Sequence, residues 1–158
     1  MKATLHNSSY KQTRAGLVII QILLVIQFIV GMYINLYVTL PKIHPGIQGS
    51  YAPSIPWALA GHAGIALAIH VIIWVLLTIG SIALVVRGIL SHRKAFIVGN
   101  SLGLLFILMA GSGGLSFFNR GGQNGNSLMM AFGFILAIIS YSITFYKTKE
   151  SKYDQTTA

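Results

Sequence analysis

Long apolar segments separated by short polar ones dominate the pattern along this chain of 158 residues. Four such segments occur, at 16–40, 55–86, 95–118 and 127–146. Each contains the roughly 20 residues that a helix needs to cross the hydrocarbon core of a bilayer. Because backbone polar groups in lipid are satisfied within helices, the pattern predicts an all-α polytopic membrane protein. We expect a single membrane domain over 1–158: a bundle of four antiparallel transmembrane helices and a polar tail at 147–158.

The first two apolar segments each raise a question: whether the first is a signal peptide, and why the second is longer than a membrane-spanning helix needs to be. The first is longer than the apolar core of a signal peptide, and no small-x-small cleavage site follows it, so we expect it to remain as a helix. The second contains 32 residues and would span about 48 Å if it were wholly helical. We expect either a tilted helix or a start, around Pro53 to Trp57, that lies in the membrane interface.

Basic residues flank the segments unevenly, and this sets the expected orientation. Nine lie on one side of the predicted membrane: Lys2, Lys11, Arg14, Arg87, Arg93, Lys94, Lys147, Lys149 and Lys152. The other side carries Lys42 and Arg120. The positive-inside rule then places both termini in the cytoplasm, with the chain in the cytoplasmic membrane of a prokaryote. The net charge of +9 fits contact with an anionic lipid bilayer, and its scattered positions do not form a nucleic-acid site.

The composition excludes most catalytic chemistry inside the membrane. Charged residues make up 8 % of the chain, against about a quarter in a soluble domain. The chain has no cysteine, which excludes disulfides and thiolate metal sites. Both acidic residues, Glu150 and Asp154, lie in the tail, so the membrane segments offer no carboxylate for a cation site or a hydrolytic triad. Hydrolysis is therefore not expected, and any enzymatic role would be a redox one.

Two histidines, His62 and His70, lie inside the second segment. Ionisable groups within a membrane helix indicate function. On one continuous helix they would share an i, i+4 ridge with Ala66. Alanine and glycine at 58, 60, 61, 63, 64 and 68 would leave a flat surface beside them. Such a surface suits a porphyrin ring and equally a packed helix. Structural histidines, or a proton-handling pair, are the other interpretations.

Heme b or a quinone is the cofactor that these histidines predict, in an outer-leaflet pocket around His62. The two imidazoles would lie about 12 Å apart along the helix axis, so they cannot both bind one iron. A second iron ligand would come from His44, from a partner chain or from a methionine at 32, 109, 129 or 130. Arg120, with Lys42, is placed to pair with heme propionates.

The outer half of the third segment adds polar groups to this predicted pocket. Ser112, Ser116 and Asn119 are expected to face His62 across the bundle, with His44 or Gln48 above them. The small residues at 110–114, and the Gly-x-x-x-Gly step that begins at Gly99, equally fit close helix packing.

Other polar and aromatic residues inside the segments have simpler interpretations. Gln21, Gln27 and Asn35 of the first segment predict hydrogen bonds between helices. Trp74, in the middle of the second segment, is interpreted as a core residue, a lipid-facing residue or the neighbour of a bound ring.

Two further functions stay open at this point. The chain could be a non-catalytic accessory or structural subunit that packs against a larger membrane complex through its small-residue faces. A minimal transporter, working as a homo-oligomer, is less favoured because the sequence shows no inverted repeat and no acidic residue for a substrate pathway.

Three short strings resemble a group of small four-helix membrane proteins of bacteria and archaea. They are Asn-Leu-Tyr-Val-Thr-Leu-Pro at 35–41, His-Pro-Gly at 44–46 and Ser-Phe-Phe-Asn at 116–119. The resemblance spans most of 16–146 and implies a four-helix unit with important outer loops. That group has no assigned activity, so the resemblance supplies no catalytic residue.

Overall fold

A computed structural model describes residues 2–47 and 51–153, with side-chain packing for 11–47 and 51–147. Within these residues it contains five helices: α1 (Lys2–Tyr37), α2 (Ser54–Leu59), α3 (Ile65–Leu90), α4 (Lys94–Asn119) and α5 (Asn124–Tyr153). Four contain apolar spans long enough to cross a membrane, at Lys11–Tyr37, Ile65–Leu90, Lys94–Asn119 and Asn124–Lys147. By the length and composition of these helices, the chain is a multi-pass membrane protein.

The long helices pack as antiparallel neighbours in the cyclic order α1, α3, α4, α5. α1 contacts both α3 and α5, and α4 lies between α3 and α5. Gly80 of α3 lets the Ile20 side chain of α1 approach its backbone closely. On the other side of α1, Phe28 stacks on Phe134 of α5, with ring centroids 4.6 Å apart. The predicted all-α bundle of four antiparallel helices is confirmed.

The α4–α5 interface is the most extensive of these contacts because glycines on α4 leave room for side chains of α5. A Cβ atom at Gly103 would lie 2.3 Å from Cζ of Tyr141, and one at Gly99 would lie 3.2 Å from Cβ of Thr144. The Gly-x-x-x-Gly step therefore serves close helix packing within the chain.

The second apolar segment forms two helices instead of one. α2 ends at Leu59 and α3 begins at Ile65. In the turn between them, Gly61 and Gly64 adopt φ values of 81° and 93°, in the region that glycine occupies without strain. This turn accounts for the excess length, because α3 alone spans about 39 Å. His62 lies in the turn, so it does not share a helical ridge with His70.

Two helices extend beyond their apolar segments. α1 begins at Lys2 and α5 continues to Tyr153, into the segment predicted as a tail. Neither polar extension contains proline or glycine, so nothing in the sequence stops the helix where the apolar segment stops. The hydropathy of the sequence therefore locates the part of each helix that can cross the membrane, but it does not locate the ends of the helix. The remainder of the predicted tail, 154–158, lies outside the described residues.

Antiparallel packing brings the basic residues of several segments to one end of the bundle. Arg87 donates a hydrogen bond to the amide oxygen of Gln12, and the Arg14 guanidinium lies 4.6 Å above the centre of the Phe145 ring. We call this the basic end. The opposite end, with the connections at 38–47, 51–64 and 120–123, is the loop end. The orientation with both termini in the cytoplasm stays a prediction from the positive-inside rule.

Candidate functional site

A cavity of about 190 Å³ lies between the four long helices and α2, toward the loop end. Aliphatic and aromatic side chains form most of its wall, including Leu24, Leu67, Ile107 and Phe118. A smaller set of residues with polar side-chain atoms joins them: Gln27, Asn35, Ser54, His70, Trp74 and Ser127. An apolar chamber with a few convergent polar groups is the usual form of a small-molecule site.

His70 enters the cavity from α3 and meets α1. Its Nε2 atom lies 3.1 Å from the side-chain nitrogen of Gln27. With the Gln27 amide donating to Nε2, the neutral imidazole carries its proton on Nδ1. The ring packs against Gly31, where a Cβ atom would lie 2.9 Å from Cε1 of His70. The absence of a side chain at Gly31 therefore makes room for the imidazole.

Trp74 follows His70 by one helical turn on α3 and reaches α4. Its indole lies against Gly111, where a Cβ atom would be 2.1 Å from Nε1 and 2.4 Å from Cε2. Only glycine at this position admits the indole in this orientation. The pair Gly31 and Gly111 thus makes room for His70 and Trp74 from two sides of the cavity.

The polar atoms of these side chains are not all paired. His70 Nδ1, Trp74 Nε1 and Gln27 Oε1 are buried without a hydrogen-bond partner. Buried polar atoms are normally hydrogen-bonded, because an unpaired one costs about 1–3 kcal/mol. Two of the three are N–H donors when Gln27 donates to His70. These atoms belong to residues that line the cavity, although the atoms themselves are covered by neighbouring groups, so the side chains must shift slightly for a molecule with oxygen acceptors to pair with them.

A cluster of His44, Trp57 and His62 lies at the loop end, and none of these three residues lines the cavity. His44 is buried and stacks on Phe118, with ring centroids 4.1 Å apart, and on Trp57 at 5.4 Å. His62 is exposed and stacks on Trp57 at 5.5 Å. His44 Nδ1 donates to the Pro45 carbonyl at 3.1 Å. The cluster holds the connection after α1 against α2 and α4.

Asn119 and Arg120 connect the end of α4 to the start of α2. The Asn119 side-chain nitrogen donates to Oγ of Ser54 at 3.1 Å and to the Leu115 carbonyl at 2.8 Å. Arg120 Nε donates to the Tyr51 hydroxyl at 3.0 Å. Both Asn119 and Ser54 are buried. These bonds close the loop end of the cavity, since Ser54 is also part of its lining.

The lining of this cavity does not include the residues predicted to form a pocket around His62, and that pocket stays a prediction. Ser112 is exposed and donates to the Met109 carbonyl at 2.9 Å, and Ser116 is partly buried outside the cavity lining. Of the predicted site residues, only His70 lines the cavity. Gln48 lies outside the described residues. The ligand-binding roles predicted for His62, His44 and Arg120 stay predictions.

Sequence reasoning named Gln27 and Trp74 without placing them in one site. One signal was available for Trp74, because it follows His70 by four residues and therefore shares its helix face. No such signal existed for Gln27, Gly31 or Gly111. Their approach to His70 and Trp74 depends on which helices are neighbours, and the apolar pattern does not specify that order.

The cavity beside His70 contains ligands for a heme iron but little space for the ring. Met32 and Met130 line it together with His70, so a His–Met ligand pair is chemically available. The space of about 190 Å³, however, is too small for a four-pyrrole ring.

Comparison of this chain with protein-family models, curated proteins and solved structures finds no match. The fold and the cavity therefore define a class: a small four-helix membrane protein with an apolar chamber between its helices. The resemblance carried by the strings at 35–41, 44–46 and 116–119 stays a prediction.

Proposed function

We propose that this protein binds the ring of a quinone-type molecule in the cavity beside His70. The observation that carries the proposal is the set of buried, unpaired polar atoms on His70, Trp74 and Gln27, three residues that line a largely apolar chamber. A quinone ring is apolar on its faces and carries carbonyl oxygens at its edge. Those oxygens are acceptors for the N–H groups of His70 and Trp74.

The size of the cavity supports a ligand with one six-membered ring. An aliphatic cavity of about 150 Å³ engineered into another protein binds benzene. The cavity here, at about 190 Å³, has room for such a ring with small substituents. His70 and Trp74 lie about 6 Å apart along the axis of α3, so two residues with an N–H group border the space that the ring would occupy.

The chemistry of the wall also suits the reduced form of such a ligand. Reduction of a quinone converts each carbonyl acceptor into a hydroxyl donor. Gln27 Oε1, which is buried without a donor partner, provides an acceptor for one of these hydroxyls. A hydroxyl oxygen still accepts from the N–H groups of His70 and Trp74, while its hydrogen is available for Gln27 Oε1, so the same residues suit either redox state. The proposed role is to hold the molecule within the membrane.

Tryptophan fluorescence tests this proposal, because quinones quench indole emission at short range. The chain has two tryptophans, Trp57 in the loop-end cluster and Trp74 in the cavity wall. In lipid nanodiscs, we expect decylubiquinone to quench the Trp57→Phe variant, which retains Trp74, with a saturable dependence on concentration. An alkane of the same length without the ring should not compete.

The matched variant Trp74→Phe retains only Trp57, whose ring centre lies 6.1 Å from that of the lining residue Phe118, so bound quinone should quench it saturably but more weakly than it quenches Trp74. Two outcomes would contradict the proposal. Non-saturating quenching of both variants would mean that no site exists. Saturable quenching of Trp57 alone would place the ligand in the loop-end cluster of His44, Trp57 and His62.

A further inference from the structure

We infer that the cavity opens sideways to the bilayer between α1 and α5, and that the ligand's alkyl or isoprenoid tail leaves through this opening. This inference rests on the proposed function. We call the gap the lateral opening and define it by Phe28, Met32 and Asn35 of α1 with Ser127 and Ala131 of α5.

The exposure of the lining residues locates the opening on α1. Phe28 and Met32 both line the cavity, yet they are 41 % and 40 % exposed. Asn35 also lines the cavity and is exposed. The lining residues on α2, α3, α4 and α5 are all buried or partly buried. The cavity therefore reaches the protein surface along one edge of α1.

The side of α1 on which the opening lies follows from helix geometry. Successive residues of an α-helix are about 100° apart, so positions 28, 32 and 35 fall within about 60° of each other. Gln27 and Gly31, on the adjoining arc, face His70 of α3. Phe28, in contrast, stacks on Phe134 of α5. The exposed edge of the cavity therefore faces α5.

The residues of α5 leave this gap free of bulky side chains. Ser127 and Ala131 line the cavity one turn apart on α5, and both have small side chains. The stacked pair of Phe28 and Phe134 closes the gap toward the basic end, and α1 and α5 have the smallest contact of the four neighbouring pairs of long helices. The opening thus lies between this pair and the loop end.

The lateral opening narrows the chemical class of the ligand. A chamber that communicates with the acyl chains favours a molecule already dissolved in the bilayer over one that arrives from water. With its ring beside His70, such a molecule would direct its substituent past Met32 and Ala131 into lipid. The site is thereby matched to quinones that carry a long apolar tail.

Cysteine labelling tests this inference, because the chain has no native cysteine to interfere. In nanodiscs, Asn35→Cys and Ser127→Cys should react with a small membrane-permeant maleimide, and saturating decylubiquinone should slow both reactions several-fold. The control Leu36→Cys lies beside Asn35 at the loop end of α1, is exposed and does not line the cavity, so its rate should not change. A tailless ring analogue should protect neither cysteine and still quench Trp74.

The two proposals fail in distinguishable ways. If decylubiquinone quenches Trp74 saturably but protects neither cysteine, the lateral opening is wrong and the ring site stands. Equal protection of Leu36→Cys would also overturn the opening, because it would show non-specific coverage by quinone in the lipid. If Trp74 is not quenched, both proposals fall together. The use of two independent cysteine positions guards against one variant that does not fold.

Discussion

The His70→Leu variant is expected to bind decylubiquinone about tenfold more weakly than the wild-type protein, a loss of about 1.4 kcal/mol. Leucine keeps an apolar side chain of similar volume in the wall but cannot donate a hydrogen bond to a ring carbonyl. A typical hydrogen bond contributes about 0.5–1.5 kcal/mol, and a buried polar group left unpaired costs more. The dissociation constant follows from a Trp74 quenching titration in the Trp57→Phe background.

His62→Leu is the matched control for this prediction, since His62 is the other histidine of the second apolar segment. It lies exposed in the turn between α2 and α3 and does not line the cavity. Its dissociation constant should equal that of the parent protein. Equal affinities for the His70 variant and the parent would exclude His70 as a ligand-binding residue.

Gly111→Ala is expected to lower quinone affinity more than tenfold, although it adds only one methyl group. That carbon would lie 2.1 Å from Nε1 and 2.4 Å from Cε2 of Trp74, which is closer than non-bonded atoms approach. The indole must therefore move, and both its N–H group and its face of the cavity move with it. Overpacking of this kind also costs about 1–3 kcal/mol of stability.

Two measurements check the Gly111→Ala prediction: the emission maximum of Trp74 in the Trp57→Phe background, and the dissociation constant for decylubiquinone. Gly125→Ala is the control, because a Cβ atom at Gly125 meets no other atom within 4 Å. It should leave both quantities unchanged. An unshifted emission maximum together with unchanged affinity in Gly111→Ala would refute the packing of Trp74 on α4.

The helical architecture could be predicted from the sequence because the bilayer imposes a minimum apolar length. Each of the four long helices contains most of one apolar segment, and the short connection between α3 and α4 favours antiparallel neighbours. The sequence did not predict that the second apolar segment would be divided into two helices, α2 and α3. Hydropathy averages over many residues, whereas the break depends on the positive φ values of Gly61 and Gly64.

Only part of the candidate site could be predicted from the sequence. His70 was identified because an ionisable side chain in an apolar helix is costly unless it has a role. The predicted ridge shared by His62 and His70 required one continuous helix, and the turn at 60–64 removes that condition. Gly31 and Gly111 matter because side chains of a neighbouring helix pack against them, so no pattern within a single segment identifies them.

The most direct test of the central claim is the carbonyl stretching band of the bound ligand. An isotope-edited infrared spectrum, recorded with decylubiquinone labelled with ¹³C at its carbonyls, separates this band from that of the protein backbone. Hydrogen bonds from His70 and Trp74 should lower the frequency relative to the same quinone in protein-free lipid, and His70→Leu should restore it for one carbonyl. A bound carbonyl band at the lipid frequency in the wild-type protein would contradict the account.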